Sequence, residues 1–157
     1  MIDEVDRQLI DLLQTDARLS NAALAEKVGL TTSTVYDRVK KLEQKGIIKG
    51  YVALVDAGAL GKPITAFIRL TVGSASTDYR QSKNSVTSIC QAEPDVLECH
   101  GVAGEDCYIL KVRAASPGDL EKLIERIRCN AQVARTTTNI VLSTLKETSK
   151  VSVTPHP

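Results

Sequence analysis

The stretch that decides the fold runs from residue 19 to residue 46 and reads LSNAALAEKVGLTTSTVYDRVKKLEQKG. It contains two helical patterns. The first begins at an N-cap, Ser20 or Asn21, and ends at Gly29, a residue type that often terminates helices. The second begins in the hydroxyl-rich cluster 31–34, which favours an N-cap. Because only two or three residues separate the two patterns, the stretch predicts a helix-turn-helix. The apolar face of the second helix consists of Val35, Val39 and Leu42.

A third helical pattern precedes this stretch, and a strand-like segment follows it. The earlier pattern has acidic residues in its first turn, where the helix dipole favours them. Its apolar stripe consists of Val5, Leu9, Leu12 and Leu13. Residues 47–55 predict a short strand, and residues 56–63 are rich in glycine and small side chains, as in a linker. We therefore expect a winged-type helix-turn-helix domain over residues 1–50 and a strand and linker over residues 51–63.

The second half of the chain alternates between strand and helix patterns. Residues 64–72 alternate apolar and polar side chains, which is typical of a strand. The later patterns predict a helix at about 79–91, strands at 96–102 and 107–113, a helix that starts at Ser116-Pro117, and a last strand at about 136–146. The order βαββαβ is that of a ferredoxin-like unit. The fold class is therefore α+β, with a C-terminal ferredoxin-like domain over residues 64–150 and a frayed tail over residues 151–157.

One face of the predicted sheet is left without helices. Two helices can cover only one face of a four-stranded sheet. The other face carries apolar side chains, with Phe67, Ile109 and Val141 as candidates. Such a face needs a partner, so the geometry implies a homodimer.

Composition is that of an ordinary globular protein and excludes several other classes. The 157 residues are 43% hydrophobic and 25% charged, and no apolar run approaches the ~18 residues of a membrane helix. The N-terminal residues lack the features of a signal peptide, so we expect a cytoplasmic protein with no membrane partner. The four cysteines form no Cys-x-x-Cys pair, which favours reduced thiols over a zinc site or a disulfide scaffold.

Charge is distributed unevenly around a formal net charge of +1. Residues 1–30 hold three basic residues against six acidic ones, whereas residues 31–50 hold five against two. In this basic segment, hydroxyls at a helix start suit phosphate and base-edge contacts, and Arg38 can donate two parallel hydrogen bonds to a guanine edge. Alternatively, the hydroxyls only cap the helix and the basic side chains are only solvated. The candidate DNA-binding residues are Thr31, Thr32, Ser33, Thr34, Asp37, Arg38, Lys40 and Lys41.

No arrangement of residues indicates an enzyme. Neither a Ser/His/Asp set nor a Cys/His set is apparent, since the neighbours Cys99 and His100 point to opposite faces of a strand. No phosphate-binding loop or dinucleotide fingerprint occurs, so we expect no cofactor.

The quoted residues resemble a known family. Residues 29–51, together with the opening IDEVD at residues 2–6, are similar to the DNA-binding signature of the Lrp/AsnC, or feast/famine, transcription regulators. The resemblance continues through Leu60-Gly61 and covers about residues 2–146. It implies a sequence-specific regulator of double-stranded DNA, a homodimer that assembles further to an octamer, and a small-molecule effector, expected to be an amino acid. The alternative function is an architectural protein that organises DNA without such an effector.

The resemblance also implies an effector site in the second domain. Family members use the loop between the second and third strands, often written Gly-x-x-Asp-Tyr, together with the start of the last strand. Here Cys107 stands at the usual aspartate position, and a carboxylate comes one residue earlier. Either that carboxylate reaches the ammonium group of an amino acid, or the effector is not an ordinary amino acid. The effector-binding candidates are Val102, Gly104, Glu105, Asp106, Thr136, Thr137 and Thr138.

Overall fold

The protein divides into two compact units. The computed structural model describes residues 2–72, 79–104, 107–130 and 133–153. The first unit consists of Met1–Leu54 and Lys146–Pro157, and the second unit consists of Val55–Leu145. The second unit is therefore inserted, along the chain, between two segments of the first.

The first unit is built on three helices, as the sequence predicts: α1 (Glu4–Thr15), α2 (Asn21–Val28) and α3 (Thr32–Gln44). Their caps satisfy backbone N–H groups that would otherwise lack partners. Ser20 is the N-cap of α2, and the cap that ends α2 is Gly29, with a φ of 68° that glycine adopts without strain. The helices meet through fully buried side chains, with Leu9, Leu24 and Val35 at the centre.

Residues 47–55 do not form the predicted strand. A strand is held by hydrogen bonds to a neighbouring strand. No other segment in the described part of the chain pairs with these residues. Val52 and Leu54 are 83% and 82% exposed, which shows how little packs against them.

The C-terminal residues are not frayed where the structure describes them. Residues 150–153, here called the C-terminal strap, lie against α1. Gln14 forms two hydrogen bonds with the backbone of Val151, accepting from its N–H at 2.7 Å and donating to its carbonyl at 2.9 Å. Arg7 donates to the carbonyl of Val153 at 2.9 Å, and the Lys150 ammonium lies 2.9 Å from an Asp11 carboxylate oxygen. The rest of the predicted tail, residues 154–157, lies outside the described residues.

The second unit has the predicted ferredoxin-like order. Its elements are β1 (Ile64–Val72), α4 (Tyr79–Ala92), β2 (Val96–Gly101), β3 (Tyr108–Ala114), α5 (Pro117–Asn130) and β4 (Val133–Ile140). The strands form one antiparallel sheet in the order β2-β3-β1-β4. The last strand begins and ends earlier than predicted, because its pairing with β1 runs from Val133 opposite Val72 to Ile140 opposite Ala66.

The two faces of the sheet differ in burial. One face is covered by the helices, and the side chains of Ile68, Leu110 and Leu123 are fully buried there. On the opposite face Phe67 is 38% exposed, in line with the predicted open face. Alternation along the strands therefore separates a core face from a face that carries both apolar and charged side chains.

Three further expectations concern cysteines, metals and membranes. All four cysteines are free thiols; Cys90, Cys99 and Cys107 are half-buried and Cys129 is exposed. Among the residues that the structure describes, no group of three or more potential ligands is placed to hold a metal ion. Within the same ranges no helix combines the length and apolar character needed to cross a membrane.

We expect Gln14→Ala to destabilise the first unit, because it removes both hydrogen bonds that hold the C-terminal strap at Val151. Because water can take the place of the lost side chain in these hydrogen bonds, the free energy of unfolding falls by only about 1 kcal/mol. Urea denaturation measures the change. Gln8→Ala is the matched control, since Gln8 is an exposed glutamine on the same helix. Equal stabilities of the two variants would contradict this role of the strap.

Candidate DNA-binding helix and effector site

Helix α3 has one buried stripe and one fully exposed face. Val35, Val39 and Leu42 are buried against α1 and α2. At 100° per residue, the opposite side of the helix carries exposed polar side chains, among them Gln44 near the end of the helix. Four others are Ser33, Asp37, Lys40 and Lys41. We call these four residues the outer face of α3.

The hydroxyl cluster at the start of α3 is partly occupied by capping. Thr31 is the N-cap and accepts a hydrogen bond from the N–H of Thr34. The Thr31 hydroxyl also lies 2.8 Å from that of Thr34 and 3.1 Å from that of Ser33. Thr32 is exposed and takes no part in this network. All four side chains are exposed, and only Thr32 is not part of the capping network.

Arg38 is already engaged by two carboxylates of α1. Its Nη1 donates to Asp3 at 2.6 Å and to Asp6 at 2.8 Å, and its side chain is only 32% exposed. The expectation of a guanidinium aimed at a guanine edge is therefore not met in this structure. Arg38 lies three residues after Val35 and four before Leu42, so it borders the buried stripe and faces the start of α1.

The same ion pairs lower the pKa of a carboxyl group at the start of α1. The N–H of Asp6 and the Arg38 guanidinium hold the pKa of Asp3 below its ordinary value of 3.8. A carboxyl whose pKa is lower in the folded state than in the unfolded state stabilises the fold at pH values above its ordinary pKa. This contribution is lost as the pH falls through the lowered pKa. Sequence reasoning missed this contact because Asp3 is 35 residues away. The signal that could have found it is the position of Arg38 beside the apolar stripe.

The basic side chains of the outer face remain available to a ligand. The Lys40 ammonium lies 5.6 Å from the centroid of the exposed Tyr36 ring, and within the described ranges Lys41 forms no ion pair. Lys41 and Lys45 border a groove of about 410 Å³ that runs between α3 and the start of α1. This side of α3 can therefore receive phosphate groups.

The effector loop is only partly described. The N–H of Val102 donates to the carbonyl of Cys107 at 3.0 Å, and the N–H of Cys107 donates to the carbonyl of Leu70 at 2.8 Å. Gly104 is exposed and has a φ of 142°, which L side chains rarely adopt. The candidates Glu105 and Asp106 lie outside the described residues. The described part of the loop is therefore anchored to β1, and its Gly104 has a backbone conformation that favours glycine.

The three threonines of β4 do not share one face. Thr136 and Thr138 pair with Leu70 and Ile68, so their side chains lie on the helix-covered face. Thr137 pairs with Arg69 and lies on the open face. The Thr136 hydroxyl is buried and finds no hydrogen-bond partner among the described residues. Because Leu70 contacts both the loop and Thr136, these candidates lie at the same end of the sheet.

Comparison with known proteins accounts for both units. Residues 2–43 match the AsnC-type helix-turn-helix domain, and residues 65–151 match the Lrp/AsnC ligand binding domain. The chain is 38% identical over 143 residues to the HTH-type transcriptional regulator LrpA of Mycobacterium tuberculosis. The match covers 91% of each chain. It is 31% identical over 153 residues to the leucine-responsive regulatory protein of Klebsiella pneumoniae, covering 97% of this chain and 92% of the relative.

Solved structures of similar proteins agree with the fold. A feast or famine regulatory protein from M. tuberculosis, complexed with L-methionine, matches with a TM-score of 0.86 and 35% identity over 96% of this chain and 99% of that one. A transcriptional regulator from Neisseria meningitidis, also an L-methionine complex, matches with a TM-score of 0.87 and 26% identity over 96% of both chains.

We expect Asp6→Ala to weaken DNA binding although it removes a negative charge, because α3 loses one of the two ion pairs that hold its edge against α1. The Arg38–Asp6 pair is partly buried, and ion pairs near a protein surface contribute ~0.2–1 kcal/mol to the fold. A gel shift measures the affinity, and a double-mutant cycle with Arg38→Ala measures the coupling. Glu4→Ala, an exposed carboxylate removed from the same helix, controls for charge. Tighter binding by Asp6→Ala than by Glu4→Ala would show that a released Arg38 binds DNA directly.

Proposed function

The chain belongs to the Lrp/AsnC family of transcription regulators, and on that premise we propose a function for each of its two units. The first unit binds DNA through α3, and the second unit binds a small-molecule effector. The observation that carries the proposal is the outer face of α3, which is polar, exposed and fixed in direction by the buried stripe behind it. An absence of DNA binding would overturn the first part of the proposal, and an absence of effector binding would overturn the second.

The outer face of α3 is proposed to enter the major groove. Serine, aspartate and lysine side chains there can contact base edges, while the start of the helix directs backbone N–H groups at a phosphate. Thr31, Thr32 and Thr34 support this contact at the helix start, with Thr31 held in its capping role. Arg38 contributes by holding α3 against α1 and not by reading a base.

The second unit is proposed to form a homodimer through the open face of its sheet. That face exposes Phe67 beside charged side chains, among them Lys111, which forms an ion pair with Glu98 at 3.4 Å. A mixed apolar and charged face suits an interface between identical copies, since each copy supplies both halves of every contact. Dimers of this kind are proposed to assemble to an octamer in the cytoplasm.

The proposed effector is an α-amino acid with an apolar side chain. Two similar structures hold L-methionine, and a relative is named for its response to leucine. The site proposed for it lies at the sheet end where the loop Val102–Gly104 approaches the start of β4, together with Glu105 and Asp106. A buried, unpartnered Thr136 hydroxyl at this end supports a polar ligand group nearby.

Two other functions are less well supported. An architectural DNA-binding protein without an effector would use the same outer face of α3 but would have no use for the second site. DNase footprinting separates the two, because a regulator protects discrete phased sites and an architectural protein protects DNA diffusely. An enzyme is not proposed, because the relatives reported above are transcription regulators.

We expect Lys41→Gln to reduce the salt dependence of DNA binding. Each lost phosphate contact lowers the slope of log K against log salt concentration by about 1, and the proposed homodimer loses two contacts. Fluorescence anisotropy across a salt series measures that slope. Lys122→Gln is the control, because Lys122 is an exposed lysine on α5 in the second unit. Equal slopes for wild type and Lys41→Gln would contradict the placement of DNA on this face.

We expect Gly104→Gln to abolish effector binding while DNA binding remains. A side chain at a φ of 142° strains the turn and occupies the space beside it. A thermal-shift titration with L-methionine and L-leucine measures binding, since a ligand at 100 Kd adds about 2.7 kcal/mol of stability. Gly118→Gln in α5 is the control, because a side chain there meets only ordinary contacts. An unchanged titration for Gly104→Gln would contradict this site.

A further inference from the structure

Two cysteines on different elements of the second unit are direct neighbours. Cys90 lies near the end of α4, and Cys99 lies in β2 opposite Leu110. Because Leu110 is fully buried beneath the helices, Cys99 also points to the helix-covered face. The side chains of Cys90 and Cys99 line the same cleft, and both pack against the core.

Solvent reaches this pair of thiols. A cleft of about 250 Å³ opens beside them, lined by both cysteines together with Thr87, Gln91 and Glu98. Each cysteine is only half-buried. A small oxidant, with a volume close to that of two water molecules, can therefore approach the sulfur atoms through the cleft.

The environment assigns different roles to the two sulfur atoms. Burial and the hydrogen bond with Cys99 raise the pKa of Cys90 to about 12. Protons of interacting thiols leave the pair in two separate steps. Cys90 therefore keeps its proton near neutral pH. Such a pair supplies one attacking sulfur and one resolving sulfur.

We propose that Cys90 and Cys99 form a reversible intramolecular disulfide when the protein meets a hydroperoxide. The thiolate of Cys99 attacks the O–O bond and becomes a sulfenic acid, and the distal oxygen leaves as hydroxide or alcohol. The Cys90 sulfur then attacks the sulfenic sulfur and displaces water. In total, two thiols and one hydroperoxide give one disulfide, one water and one further water or alcohol. A dithiol reductant reverses the step.

The disulfide would join the end of α4 to β2, which is an edge strand of the sheet. The residue after β2 is Val102, where the loop that carries Gly104 begins. The bond therefore restrains the segment that leads into this loop. The pair itself does not depend on the effector proposal, since its chemistry needs only the two thiols and the cleft.

The test is limited oxidation of the full-length protein with hydrogen peroxide, followed by digestion and mass spectrometry without reduction. Cleavage after Glu98 and Glu105 places Cys90, Cys99 and Cys107 in three separate peptides. We expect one linked pair of peptides, Cys90 with Cys99, lighter by two hydrogen atoms than the separate peptides and split by dithiothreitol. Peptides linked through Cys107 or Cys129, or a Cys99 sulfinic acid without a link, would overturn the proposal.

Single variants complete the experiment. Cys90→Ser and Cys99→Ala should each lose the linked peptides, whereas Cys129→Ser, changed at the exposed cysteine of α5, should keep them. Thermal melts establish which variants are folded. In wild type, the rate of alkylation at Cys90 and Cys99 by iodoacetamide should fall at least tenfold after peroxide treatment, while that of Cys129 stays within twofold. Equal loss at all cysteines would also overturn the proposal.

Discussion

Burial of Val35, Val39 and Leu42 determines how α3 is rotated about its own axis, and the other properties of the first unit depend on that rotation. Each large apolar side chain stabilises the fold by ~1.5–3 kcal/mol when it is fully buried. A rotated helix would lose most of this stabilisation, so the outer face of α3 can point in one direction only. The same rotation turns Arg38 towards α1 and away from the outer face. A side chain that looks suited to DNA in the sequence therefore becomes part of the support for its neighbours.

In the second unit, the alternation of side chains along each strand determines which residues lie on each face of the sheet. Alternation places Ile68, Leu110 and Cys99 under the helices and leaves Phe67 on the open face. It also separates Thr137 from Thr136 and Thr138, although the three are consecutive in the chain. A ligand at this end of the sheet can thus meet hydroxyls of one face only. Register, and not only proximity along the chain, decides which polar groups act together.

Local patterns predicted most of the fold, because helix caps and apolar spacing act within a few residues. The three helices of the first unit and the order of the second follow from such patterns. Contacts between distant residues could not be predicted in this way. Arg38 with Asp3, Gln14 with Val151 and Cys90 with Cys99 each join separate elements, and neither propensity nor spacing encodes them. Residues 47–55 show the converse error, because strand propensity alone cannot supply a partner strand.

The C-terminal strap has a consequence for the order in which the chain folds. Its contacts join residues separated by 135 to 146 positions, a long loop to close. Helices α1, α2 and α3 leave the ribosome first, and residues 150–153 leave only after the whole second unit. Folding of that unit brings its two ends together, since the N–H of Val141 bonds the carbonyl of Thr65 at 2.9 Å. Folding of the second unit therefore offsets most of the entropic cost of closing this loop before the strap reaches α1.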